Sequence, residues 1–176
     1  MENLTILMLS GKSGCGKDTF FELSKESFSS LNIIRYSFAD EVKDIALKIG
    51  WNGVKDIKGI DFLQKISFAA REYDDKIWLR KIDKTISILN ETVSKSILII
   101  TDCRYENQID YVKSMHNSTY TVRIERKTTN TLTNLQKQHP VEKSLDYYKK
   151  FDYYIENDTL EYFKKQIIDL INKIII

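Results

Sequence analysis

Hydrophobic and polar positions alternate along this chain with two different periods. Leu4–Leu9 and Ser96–Thr101 are almost continuously apolar, as strands buried on both faces are. Asn32–Phe38, Thr119–Glu125 and Tyr153–Glu156 read as three further strands, Thr119–Glu125 by its alternation. Helical spacing fills the intervals. A helix from about Lys17 to Leu31 sets Phe20, Leu23, Ser27 and Leu31 on one face. Ser37-x-x-Asp40 reads as a capping box opening a helix with Val42, Ile45, Ala46 and Ile49. Gly50–Gly59 is a connector. Ile60–Tyr73 and Lys76–Val93 follow as helices, with Leu63, Ile66 and Ala70, then Trp78, Ile82, Ile86 and Leu89, turned inward. The Asp74–Asp75 pair marks the break between them. A helix from about Glu106 to Met115 carries Ile109 and Val112. The last helix, capped by Asp158, has Leu160, Phe163, Ile167 and Ile171 as its inner face. Arg126–Pro140 has weak apolar periodicity.

Strands that alternate with helices predict an α/β fold, a three-layer arrangement with a parallel sheet of about five strands and helices on both faces. Ligands of such sheets bind at the carboxyl ends of the strands. That rule gathers the residues after Leu9, Phe38, Thr101 and Glu125 at one edge.

Composition narrows the classes. A chain of 176 residues suggests one domain with a real core. Hydrophobic content of 42% and charged content of 30% exclude a disordered or membrane-spanning chain. A net charge of +2 provides no electrostatic footprint for nucleic acid, while small anions remain suitable ligands. No apolar stretch reaches membrane length, and Leu4–Leu9 is too short for a signal segment. Cys15 and Cys103 read as small filler residues and fit a reducing, cytoplasmic setting. Trp78, Tyr147, Tyr148, Tyr153 and Tyr154 read as core, and Ile174–Ile176 as packing on the domain. His139 has no second histidine at metal-ligand spacing.

The strongest chemical signal is GKSGCGKDT, Gly11–Thr19, between the first strand and the first helix. Gly11, Gly16 and Lys17 satisfy the pattern G-x-x-x-x-G-K-[ST], but Asp18 stands where Ser or Thr is expected. Glycines let successive N–H groups turn inward around an anion, and the helix start adds positive potential. Gly11, Lys12, Ser13, Gly14, Cys15, Gly16, Lys17, Asp18 and Thr19 therefore read as a phosphate cradle for ATP. Lys17 would place a full charge on the terminal phosphates. Asp18 would offer Mg²⁺ a carboxylate oxygen, directly or through water.

Asp102 ends the second apolar strand, where a carboxylate helps hold Mg²⁺ or its waters. Arg104 lies on the same rim, Arg126 ends the fourth strand, and Arg71 lies on the helix Ile60–Tyr73. Guanidinium forks suit phosphate oxygens and transferring charge. Each also suits a surface ion pair, since Glu72 and Asp74 flank Arg71 and Glu125 precedes Arg126. Asp40 and Lys43 open the helix after the second strand; Asp40 serves either as a capping acid or as a contact to a sugar hydroxyl or acceptor.

GKSGCGKDT, YSFADEVKDIA, LQKISFAAREYDDKIWLRKI, ILIITDCRYENQ and HPVEKSLDYYKKFDYYIEND occur in an order that resembles the phage-type deoxynucleoside monophosphate kinases. The resemblance covers most of the chain. This family and the related animal phosphomevalonate kinases carry G-K-D where other P-loops carry G-K-[ST], so Asp18 is a marker. The resemblance implies a P-loop kinase domain over 1–176, transferring the γ-phosphoryl of ATP to a deoxynucleoside 5′-monophosphate with Mg²⁺. It implies an acceptor-binding helical region at about 39–94, with Asp40, Lys43, Arg71 and Arg104 lining the acceptor site. It implies a lid at about 126–141, catalytic roles for Lys17, Arg71, Arg104 and Arg126, and a metal at Asp18 and Asp102. Two positions depart from the family pattern. Gln108 stands where Glu is frequent and removes a carboxylate. Val141 stands where Ser is frequent, beside His139 and Glu142. The partners implied are small molecules, not nucleic acid or membrane, with a homodimer left open. A kinase for another phosphorylated acceptor, such as phosphomevalonate, and a non-catalytic nucleotide-binding protein are the competing readings.

Overall fold

Alternate residues of the first strand face different helical layers. Leu7 and Leu9 pack with Ile97 and Ile99 on one side of the sheet, against Phe20, Phe163, Ile167 and Ile171. Ile6, Met8, Leu98 and Ile100 pack on the other, against Ile82, Ile86, Ile109 and Val112. This period of two, with both faces apolar, is why the first and third strands read as unbroken hydrophobic runs. The computed structural model describes residues 3–92, 94–126 and 145–175.

The elements are β1 (Leu4–Ser10), α1 (Lys17–Ser27), β2 (Asn32–Tyr36), α2 (Phe38–Lys48), α3 (Ile57–Tyr73), α4 (Lys81–Asn90), β3 (Ser96–Ile100), α5 (Glu106–Met115), β4 (Thr119–Glu125), β5 (Tyr153–Glu156) and α6 (Leu160–Ile174). The sheet has five strands in the order β2-β3-β1-β4-β5, and every neighbouring pair is parallel. The chain leaves β1 toward β2 but leaves β3 toward β4, on the other side of β1. Right-handed crossovers running in opposite directions put their helices on opposite faces. The chain thus changes direction between β1 and β3, and in such sheets ligands bind beyond the carboxyl ends of the strands at that point.

Several local expectations change. Leu160 is 62% exposed although its sequence spacing places it on the inner face of the last helix; Phe163, Ile167 and Ile171 are buried there as expected. Thr159, not Asp158, caps α6: its side chain accepts from the N–H of Tyr162 at 3.2 Å. Lys76–Arg80 is a turn, and α4 begins only at Lys81. Trp78 is buried with Leu79, as expected, but Tyr147 and Tyr154 are exposed because the chain there runs along an edge of the domain. Leu63, Ile66 and Ala70 are only half-buried, since α3 packs on α2 and lies outside the two main core clusters. Among the described residues, no helix is long and apolar enough to cross a membrane.

Candidate active site

The loop after β1 turns back on itself before α1, and two of its glycines are required by their surroundings. A Cβ on Gly11 would lie 2.5 Å from the carbonyl oxygen of Ile124 on β4. Gly16 adopts φ +108, and a Cβ there would lie 2.3 Å from Nδ2 of Asn157. Asn157 follows β5, is buried, and donates from Nδ2 to the Cys15 carbonyl at 2.9 Å. Its own N–H donates to the Glu125 carbonyl at 2.8 Å. The loop is thus clamped between the ends of β4 and β5. Lys17, the first residue of α1, folds over it and donates from Nζ to the carbonyls of Gly11 at 2.8 Å and Lys12 at 3.1 Å. Arg126 reaches the same loop, with Nη1 3.4 Å from the Gly14 carbonyl. Lys12 turns outward and meets both Asp146 oxygens at 2.5 Å, while Arg123 meets Asp146 at 3.3 Å. A cavity of about 310 Å³ opens behind the loop, lined by Lys12, Cys15, Arg123, Arg126 and Asn157 among others.

The rim after β3 is organised around Asp102. Its carboxylate accepts from the Ser37 hydroxyl at 2.9 Å and from the N–H groups of Phe38 at 3.0 Å and Ala39 at 2.8 Å. The start of α2 is therefore capped from β3. The capping box expected at Ser37 and Asp40 does not form: the Ser37 side chain makes no cap hydrogen bond, and Asp40 turns to cations. Burial pushes the Asp102 carboxyl above its ordinary value, against those three hydrogen bonds and the nearby Arg104. Cys103 beside it is buried, and burial raises its thiol well above the ordinary range, which suits the filler role expected of it.

Asp40 accepts from Arg35 Nη1 at 2.7 Å and pairs with Lys43. Burial alone would raise the Asp40 carboxyl, but the bonds from Lys43 and Arg35 outweigh it and hold it below its ordinary value. Arg35 Nε also lies 3.6 Å from Asp18 on α1. A chain of charges thus runs from the helix of the phosphate loop, through β2, to the first turn of α2. In the segment after β3, the Tyr105 ring centre lies 4.9 Å from the Arg71 guanidinium of α3, whose Nε donates to the Ser67 carbonyl at 3.3 Å. Gln108 is buried and its Oε1 accepts from the N–H groups of Arg104 at 2.7 Å and Tyr105 at 3.0 Å. An amide oxygen serves that turn as a carboxylate would, so the departure at Gln108 leaves the Arg104 backbone supported.

The residues expected from sequence therefore separate into two neighbouring groups. Gly11–Thr19 and Arg126 form one, and Asp40, Lys43, Arg71, Asp102 and Arg104 belong to the elements after β2 and β3. The lid at 126–141 lies, apart from Arg126, outside the described residues, as do His139, Val141 and Glu142. Sequence reasoning missed Arg35, Asn157, Asp146 and Tyr105. Arg35 is a lone cation within an apolar strand, and Asn157 directly follows a strand, so both carried a signal; Asp146 carried none.

Gly11 and Gly16 let the loop pack where a Cβ would clash with the protein itself, and Lys17 and the α1 N-terminus add the positive potential that an anionic group such as a triphosphate needs. No group of three or more His, Cys, Asp or Glu is placed to hold a metal among the described residues. Asp18, exposed in the first turn of α1, is a carboxylate that could hold Mg²⁺ together with phosphates and water.

No protein-family model matches the chain. No curated protein sequence matches it either. Solved structures do. The APS kinase of Mycobacterium tuberculosis, in complex with AMPPNP and APS, superposes with a TM-score of 0.60 at 10% identity, over 96% of this chain and 97% of that one. The shikimate kinase of Aquifex aeolicus gives 0.50 at 19%, over 96% and 97%. A gluconokinase of Sinorhizobium meliloti gives 0.51 at 11%, over 96% and 92%. Its five-stranded parallel sheet, its helices on both faces and its glycine loop behind β1 give this chain the α/β fold of the P-loop kinases.

Proposed function

We propose that the protein transfers the γ-phosphoryl group of ATP to a deoxynucleoside 5′-monophosphate, giving the diphosphate. The observation that carries the reading is the pairing of two cationic sites at one sheet edge. Lys17 and the loop Gly11–Thr19 would serve the donor, while Arg71, which stacks on Tyr105, and Arg104, the residue before Tyr105, would serve an anionic acceptor. A nucleotide-binding switch has no use for the second site. The three kinases that share the fold support phosphoryl transfer in general; the deoxynucleotide acceptor rests on the motif resemblance, with Asp18 as its marker.

The chemistry asks little covalent work of the protein. The acceptor is already a phosphate oxyanion, so no strong base is needed. Positioning two anions in line and neutralising their charge is the task. Lys17 would leave the carbonyls of Gly11 and Lys12 for the terminal phosphates. Arg126, already against the loop, would follow the charge that develops in transfer. Asp40, held ionised by Arg35 and Lys43, would accept a hydrogen bond from a sugar hydroxyl. Mg²⁺ would be held at Asp18 and would neutralise phosphate charge. The lid proposed for 126–141 would exclude water. The test is coupled ADP release with ATP, Mg²⁺ and each of dTMP, dGMP, dCMP, dAMP and their ribose forms. Acceptor-dependent release with a deoxynucleotide supports the proposal. Absence of release with every acceptor would refute it.

A further inference from the structure

The start of α2 has no local cap. Ser37 stands at the N-cap position, but its hydroxyl points away and donates to Asp102. The N–H groups of Phe38 and Ala39, which a helix start leaves without intrahelical partners, both end on the Asp102 carboxylate at 3.0 and 2.8 Å. Both Asp102 oxygens are in use: Oδ1 takes Phe38, and Oδ2 takes Ser37 and Ala39. Hydrogen bonds to a charged acceptor are the strong class, and the half-desolvated setting strengthens them further. The first turn so held carries Asp40, and Lys43 follows within one turn. Phe38 also packs in the core against the Tyr36 ring, while the tie from Arg35 to Asp40 is solvent-exposed and weak by comparison.

We infer that Asp102 is a positioning residue whose work is to fasten the N-terminus of α2 to the end of β3, setting where Asp40 and Lys43 stand relative to the phosphate loop. This rests on the proposed acceptor role of α2, and it assigns the strand-end acid to the acceptor helix rather than to the metal. An asparagine at 102 keeps the shape but presents one NH₂ group where an acceptor is needed. Alanine removes all three bonds. Ser37→Ala removes one of them while leaving the carboxylate, and hence any metal duty, in place.

Two readouts separate fastening from metal binding. Amide hydrogen exchange at residues 38–41 reports the hold on α2. Affinity for the fluorescent analogue MANT-ATP, with and without Mg²⁺, reports the metal. Asp102→Asn should raise exchange at those amides by about tenfold or more, and Ser37→Ala by a smaller factor in the same direction. Both variants should hold MANT-ATP with Mg²⁺ within about twofold of wild type and raise KM for the nucleoside monophosphate. Wild-type protection of residues 38–41 in Asp102→Asn would overturn the inference. So would a loss of more than about tenfold in Mg²⁺-dependent MANT-ATP affinity in Asp102→Asn. Where Asp102→Asn does not fold, Ser37→Ala decides by exchange, and wild-type protection of residues 38–41 in that variant would overturn the inference. Should no monophosphate be phosphorylated, the proposed function fails, while exchange and MANT-ATP binding still decide the role of Asp102.

Discussion

Replacing Gly16 by alanine tests whether the phosphate loop is held from β5. The backbone at Gly16 has φ +108, which an L side chain enters at a cost of about 1–2 kcal/mol. The new Cβ would lie 2.3 Å from Asn157 Nδ2, so the amide must move. Moving it breaks the buried bond to the Cys15 carbonyl, which costs about 1–3 kcal/mol. Gly16→Ala should therefore destabilise by about 2–5 kcal/mol. Asn157→Ala alone should cost about 1–3 kcal/mol, because it strands the same carbonyl. In the double variant that bond is lost only once. The double variant should fall short of the sum of the single effects by about 1–3 kcal/mol. Urea unfolding of the four proteins measures this directly. Additivity within about 0.5 kcal/mol would refute the reasoning, since it would mean that the alanine methyl never meets Asn157.

Three other changes probe separate parts of the molecule. Lys17→Ala should abolish ADP release while keeping the wild-type far-UV circular dichroism; near-normal turnover would place the donor site elsewhere. Tyr105→Leu removes the ring beneath Arg71, an interaction of about 0.5–1 kcal/mol, and should raise acceptor KM by about two- to fivefold with KM for ATP unchanged in steady-state assays. Burial alone would raise the Asp152 carboxyl, but its bonds from Thr121 and Lys113 lower it below the ordinary 3.8, so its contribution to stability is full above that value and is lost as pH falls through the lowered folded value. Urea unfolding of Asp152→Asn across pH 2 to 7 should therefore show its deficit near neutrality and a convergence with wild type toward acid.

Much of the proposed donor site was legible because it is local. The glycines, Lys17 and the first turn of α1 act over a few residues, and the flanking strand and helix are visible as periodicity. The central strands β1 and β3 were legible because a strand buried on both faces must be apolar throughout, and β4 because its polar and apolar positions alternate. The helix caps were less so. Ser37 and Asp40 have the spacing of a capping box, yet a carboxylate 65 residues away displaces it. Asp158 is a sound cap by type, yet Thr159 takes the position. Tyr147 and Tyr154 look like core residues but lie exposed along an edge.

The sequence by itself determined the elements, the phosphate loop and the kinds of residue available at the carboxyl edge. Those properties depend on neighbours within a turn or a strand, whose energies do not require the chain to close. Only the tertiary structure decided the order β2-β3-β1-β4-β5, and with it which edge residues meet: Asp102 with α2, Asn157 with Cys15, Arg35 with both Asp18 and Asp40. The physical reason is that a charged or polar side chain takes whatever partner satisfies it on desolvation, and that partner is supplied by the packing of distant segments rather than by the residues beside it.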